Sequence, residues 1–216
     1  RDQPRSRGLG DVYKRQVFVN MVAGPIDMNN GMFDLRQGHT TRVDESQPVP
    51  STLVSEAART LIAFSGVTIL PDIPEYYRKY PALLNFLSAQ KMPWKESRTL
   101  AGEIGEYIVM MRETEDAYLV GAATNESGRT IDLPLSFLEK GKYTVEVIED
   151  GDDAHYLTNR ESLKVTTWQL TNNDKLTLKL APGGGACLVI KKTPSMRVGE
   201  QAAFPLVSPS WKIGRE

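Results

Sequence analysis

Glu103 and Glu106 flank Gly105, and Asp150, Asp152 and Asp153 gather round Gly151. Two carboxylates roughly 5–10 Å apart can cleave a glycosidic bond by acid–base chemistry, and six to eight oxygens can hold Ca²⁺. The spacing argues against both. Glu96, Glu103 and Glu106 lie at a strand entrance, where edge charges are solvated. The 150–153 cluster lacks the twelve-residue spacing and terminal glutamate of an EF-hand, so it reads as a polar turn. His39, in Gly38-His39-Thr40-Thr41, and His155, before Tyr156, have no histidine partner at helical spacing and fit no zinc pattern. Gly183-Gly184-Gly185 is followed by neither a helix nor a Lys-Ser/Thr pair, which makes it a turn rather than a phosphate cradle. Cys187 is the only cysteine. No intrachain disulfide is possible, and its neighbours Ala186, Leu188, Val189 and Ile190 make it a buried structural thiol.

A better candidate is the loop running from Gly24 to Asp34. It follows a strand-like run, Val17-Phe18-Val19-Asn20-Met21-Val22-Ala23, and carries Asp27, Asn29, Asn30 and Phe33. In a βα barrel the site residues project from the C-terminal ends of strands. Asp and Asn there can hydrogen-bond sugar hydroxyls, and an aromatic ring can stack on a pyranose face. Asp27, Asn29 and Phe33 are the candidate substrate-binding residues. For Asp27, sugar binding and turn chemistry stay equally open; for Asp72 and Glu75, after the next apolar run, turn and capping chemistry is the reading.

These residues must be positioned by two different kinds of element. Residues 51–65 show a helical period: Leu53, Ala57, Leu61 and Phe64 form one stripe, with Val54, Ala58 and Ile62 beside it. Ser51 or Thr52 can cap this helix, and Gly66 follows its end. Val67-Thr68-Ile69-Leu70 reads as a further strand, and residues 81–89 as a short helix burying Leu83, Leu84, Phe86 and Leu87. From Trp94 the pattern changes to strands at 106–112, 117–124, 130–135, 142–149, 163–170, 175–180 and 186–190, separated by Gly, Asn and Asp turns. Tyr143, Val145 and Val147 alternate with polar residues, as do Leu176, Leu178 and Leu180, which predicts antiparallel sheet with one wet face. The expected fold is α/β plus all-β: the C-terminal end of an incomplete (β/α)8 barrel followed by an antiparallel β-sandwich. Its parts are residues 1–16, a disordered or non-native end resembling translated adapter sequence; 17–93, the last β/α units; 94–192, the sandwich; and 193–216, a poorly ordered tail.

Composition excludes several functions. A net charge of −1 lacks the electrostatic footprint of a nucleic-acid binder. No apolar run approaches the ~20 residues that span a bilayer, so neither nucleic acid nor membrane is an expected partner.

Six motifs in order carry a resemblance: Ala23-Gly24-Pro25-Ile26-Asp27, Gly31-Met32-Phe33-Asp34, Leu70-Pro71-Asp72-Ile73-Pro74-Glu75-Tyr76-Tyr77, Leu100-Ala101-Gly102-Glu103-Ile104-Gly105-Glu106-Tyr107, Phe137-Leu138-Glu139-Lys140-Gly141-Lys142-Tyr143-Thr144 and Leu180-Ala181-Pro182-Gly183-Gly184-Gly185-Ala186. Residues 17–190 resemble the C-terminal part of glycoside hydrolase family 97, the α-glucosidase and α-galactosidase group. The resemblance implies an N-terminal β-sandwich, a central (β/α)8 barrel and a C-terminal β-sandwich. It further implies hydrolysis of terminal α-glycosidic bonds of oligosaccharides, with Ca²⁺ bound in the full-length enzyme, in the periplasm or outside the cell. The family's acid, base and calcium-binding glutamates precede its Gly-Pro-Met-Asp motif, within an Arg-Glu-Gly…Gly-x-Glu pattern that this sequence lacks. No catalytic or metal-binding residue is therefore assigned, no bound calcium is expected in this chain, and the chain alone is expected to be inactive. Two rival expectations treat the sandwich as a packing or oligomerisation module, forming a homo-oligomer, or as a carbohydrate-binding module.

Overall fold

The computed structural model describes residues 24–25, 30–35, 50–65 and 69–194. Helix α1, Leu53–Ile62, starts where the Thr52 hydroxyl accepts a hydrogen bond from Ser55 N at 3.2 Å, so Thr52 rather than Ser51 is the cap. Two further bonds at this end come from distant loops: Thr52 N to Gly183 O (3.2 Å) and Leu53 N to Arg160 O (2.9 Å). Amides that a helix leaves unpaired are thus satisfied by the sheet domain. Every residue of α1 except Arg59 is buried, the pattern of a helix enclosed on all sides. Helix α2, Pro74–Arg78, and helix α3, Pro81–Ser88, each begin with proline, whose fixed φ and missing N–H suit the first helical position. In α3, Leu83 and Phe86 are buried, whereas Leu84 and Leu87 are only half-buried.

Eight strands follow: β1, Glu96–Glu103; β2, Tyr107–Glu113; β3, Tyr118–Thr124; β4, Arg129–Pro134; β5, Lys142–Asp150; β6, Leu163–Thr171; β7, Lys175–Leu180; and β8, Gly185–Lys192. Six form one antiparallel sheet in the order β1-β2-β3-β8-β5-β6, and β4 pairs with β7 in a second. All pairings are antiparallel. The large sheet is covered on both faces. On one side Ile108, Met110, Leu119, Cys187 and Val189 meet α1, α3 and Phe33. On the other, Val109, Met111, Val120, Val145 and Leu188 meet Ile131, Leu133 and Leu178 of the small sheet. This two-sided cover explains why β2 and β3 read as continuous apolar runs while β4 and β7 alternate. Each enclosed Leu or Ile contributes about 1.5–3 kcal/mol by leaving water, an upper bound for a real denatured chain.

Three expectations change. Residues 96–103, expected only as a strand entrance, form the full edge strand β1. Most of its residues face water, so no apolar period marks it, and a bulge between Thr99 and Ala101 breaks its register. Ile69 and Leu70, expected in a strand, belong to none; they are followed by Pro71 and helix α2. The expected strand at 17–23, the tail beyond 194 and the Val67-Thr68 half of the second run lie outside the described residues, and among the described residues no closed barrel is present.

Candidate functional site

The loop favoured by its sequence is held by polar groups from three directions. Asp72, just before α2, accepts hydrogen bonds from Phe33 N (3.0 Å), Asp34 N (2.6 Å) and Ile73 N (2.9 Å). The Tyr77 hydroxyl donates to Gly31 O at 3.0 Å and accepts from Asp72 N at 3.1 Å. Burial pushes this phenol up to about 12, so it stays a neutral donor. Glu56 of α1 accepts from Gly31 N at 3.4 Å and pairs with Arg59 at 3.0 Å. Gly31 adopts φ +91°, and a Cβ there would meet Thr60 Cγ2 at 2.8 Å, so only glycine suits the turn.

This cluster positions a loop. Both Asp72 oxygens are spent on backbone amides, in agreement with the turn-and-capping reading. Phe33, expected to offer its ring to a sugar, is instead 1% exposed and packs on Tyr77 (4.9 Å) and Tyr80 (6.1 Å). Its ring is apolar and sits where α2 and α3 meet the sheet, so core burial claims it. Asp27 and Asn29 lie outside the described residues.

Three further candidates, Glu106, Asp153 and His155, are engaged in the same way, and His39 lies outside the described residues. Glu106 pairs with Arg129 (3.1 Å), whose guanidinium lies 4.8 Å from the Tyr107 ring centre. Asp153 accepts from Asn159 Nδ2 at 2.8 Å and from the Ser162 hydroxyl, in a polar turn. The His155 ring accepts from Leu157 N at 3.1 Å and stacks on Tyr156. Among the described residues no group of three or more His, Cys, Asp or Glu side chains is arranged to hold a metal ion.

Two charged residues matter more: Asp150, which the sequence offers only as part of a polar turn, and Arg112, which no motif marks. Asp150, at the end of β5, is buried and accepts from Ala181 N (3.0 Å) and Gly185 N (2.8 Å). It fastens the glycine turn that also receives Thr52 N of α1. Its second oxygen, Oδ1, is buried with no hydrogen-bond partner. Burial pushes its carboxyl up to about 6. Arg112, buried on β2, donates to Leu61 O (3.3 Å) and Ile62 O (3.2 Å), the last carbonyls of α1. Its guanidinium lies 4.6 Å from the Trp94 ring centre, and burial brings it down to about 10. A cation at a helix C-terminus and loop carbonyls at its N-terminus thus tie α1 to the sheet at both ends. Both side chains end or interrupt apolar strand runs, and for Arg112 that is the only signal the sequence offers.

Comparison with known proteins fits this architecture. Residues 93–191 match the family model described as "Glycosyl-hydrolase 97 C-terminal, oligomerisation". A retaining alpha-galactosidase of Bacteroides thetaiotaomicron is 31% identical over 175 residues, which is 81% of this chain and 26% of that protein. The solved structure of a glycoside hydrolase family 97 enzyme from Pseudoalteromonas sp. strain K8, in complex with acarbose, superposes with a TM-score of 0.75 at 30% identity, covering 84% of this chain and 28% of that one. A beta-arabinopyranosidase structure shares the fold, with a TM-score of 0.61 at 20% identity over 78% of this chain and 25% of that one. The chain thus spans about a quarter of the length of the relatives it matches. The resemblance carried by the ordered motifs is borne out: this chain carries the C-terminal region of glycoside hydrolase family 97.

Proposed function

We propose that this chain is the C-terminal part of a glycosidase that cleaves terminal α-glycosidic bonds of oligosaccharides, and that its own task is to hold the end of the catalytic barrel rather than to do the chemistry. The observation that carries this reading is the shared core: Phe33, α1, α2 and α3 pack on the outer face of the large sheet with no break at residue 93. Ile69, Leu70 and Ile73 are 63%, 40% and 55% exposed in the segment that leads into α2. Apolar side chains of this size, grouped within five residues, suit cover by a further layer, as the remaining barrel would supply.

The parent reaction would pass through an oxocarbenium-like transition state between two carboxyl groups. The acid, the base and the Ca²⁺ ligands are placed elsewhere in the protein, and Asp27 and Asn29 would contact sugar from the loop. Three buried carboxylates among the described residues are engaged structurally: Glu56 with Gly31 and Arg59, Glu149 with Lys164 and Lys179 N, Asp150 with the glycine turn. A periplasmic or extracellular setting goes with this reading. Incubation of the chain with aryl α-glucosides and α-galactosides plus Ca²⁺ is expected to release no phenol above the blank. Hydrolysis that EDTA abolishes would overturn the assignment of the chemistry to other parts of the protein.

A second reading, self-association, is favoured by the family model's description and by strand β6. This nine-residue strand ends the large sheet, has no neighbour on its far side among the described residues, and carries Lys164 as its one charged side chain. Long, regular, weakly charged edges invite pairing with another strand. Sedimentation of the chain is expected to give a mass above the monomer, returning to the monomer in a Val165→Lys/Thr167→Lys variant.

A further inference from the structure

Strand β6 also extends past the small sheet that covers its neighbours. Trp168, Thr166 and Lys164 sit opposite Val145, Val147 and Glu149 of β5 and share their face. The β5 residues are roofed by β7, whereas Trp168 remains 51% exposed. The result is an open groove of ≈ 350 Å³ between β6 and β7, floored by Trp168 and walled by Thr166, Lys164, Lys175 and Thr177.

The polar groups of this groove are arranged in pairs. The Trp168 indole N–H donates to the Thr166 hydroxyl at 3.1 Å, which fixes the ring plane. On one side Lys164 pairs with Glu149 at 2.9 Å; on the other Lys175 pairs with Asp132 at 2.8 Å, and Thr177 donates to the same carboxylate at 2.8 Å. Each cation is matched by a carboxylate, so the groove offers donors and acceptors but no net charge. That combination disfavours anions and cations alike. It suits a ligand with an apolar face, to lie on the indole, and vicinal hydroxyls that both donate and accept.

We propose that this groove is a carbohydrate-binding site that takes one or two pyranose units of a neutral oligosaccharide with Trp168 as the stacking platform. It stands independently of where the catalytic residues lie. One aromatic platform with a few hydrogen bonds gives affinity on the order of 1 mM, enough to retain a polymeric or multivalent substrate near the enzyme.

The test is nuclear magnetic resonance of the full chain titrated with maltotetraose and, separately, raffinose. The three tryptophans give three indole N–H signals, and the Trp168→Phe variant identifies that of Trp168. At least one sugar is expected to shift the Trp168 signal saturably, with the other two unmoved. Thr177→Val is expected to weaken the Trp168 titration about tenfold or more, while an unchanged Trp94 signal shows that the fold is kept. No shift up to tens of millimolar of either sugar overturns the proposal. So does a Trp168 shift that follows protein concentration instead of sugar, because the groove would then belong to a second copy.

Discussion

Asp150 shows how burial turns one carboxylate into a pH-dependent load. Its folded value, about 6, lies above the ordinary 3.8 because desolvation outweighs the two amide hydrogen bonds. The folded protein therefore holds this proton more tightly than the unfolded chain does. Its contribution to stability is fully present below about pH 4, declines as pH rises between about 4 and 6, and is lost above that. At about 1.4 kcal/mol per pH unit the span amounts to about 3 kcal/mol. Urea unfolding at pH 4 and pH 7 is expected to show the decline in the parent sequence, and Asp150→Asn should remove most of it. A variant with the same pH slope as the parent would refute the assignment. None of this is legible in the sequence: Asp150 reads as one of several acids in a turn, and only the approach of residues 181–185 distinguishes it from exposed Asp153. Phe33 misleads for the related reason that an aromatic in a polar loop reads the same whether it faces ligand or core.

At the level of elements, the sandwich strands are legible because period two and turn residues survive in the sequence. β5 and β7 match their expected spans to within a residue. β1 is not, since an edge strand open to water has no apolar face to report. The two apolar stripes of α1 suit a helix packed on a sheet, but the sequence does not reveal how close that contact is, because it depends on absent side chains. A Cβ at Gly121 of β3 would stand 2.9 Å from Ala58 O, and one at Gly185 of β8 would stand 2.7 Å from Ser55 Cα. Alanine in a strand ordinarily stabilises by about 0.4–1 kcal/mol relative to glycine through the unfolded state. Overpacking against helix backbone costs more, about 1–3 kcal/mol. Gly121→Ala is thus expected to lower stability in denaturant titration, and a gain would show that α1 does not sit this close.

For the whole molecule, the large sheet has no free face over its central strands, so helices and sandwich form one body despite the change of pattern near residue 93. The only cysteine lies inside that joint: the Cys187 thiol contacts Val54 O of α1 at 3.6 Å, is fully buried, and is pushed well above its ordinary value. A thiol in this state cannot react until the helix lifts. The labelling rate of the native chain with a thiol reagent therefore counts the openings that expose it, which are at least as frequent as global unfolding and become far commoner where the helix lifts on its own. Replacing Arg112 with Met leaves the last carbonyls of α1 unpaired at about 1–3 kcal/mol. It should speed labelling about tenfold for each 1.4 kcal/mol; equal rates in the two proteins would mean that Arg112 does not hold the helix down. With a single sulfhydryl beneath its main joint, the protein carries a built-in clock for the opening of its helical layer.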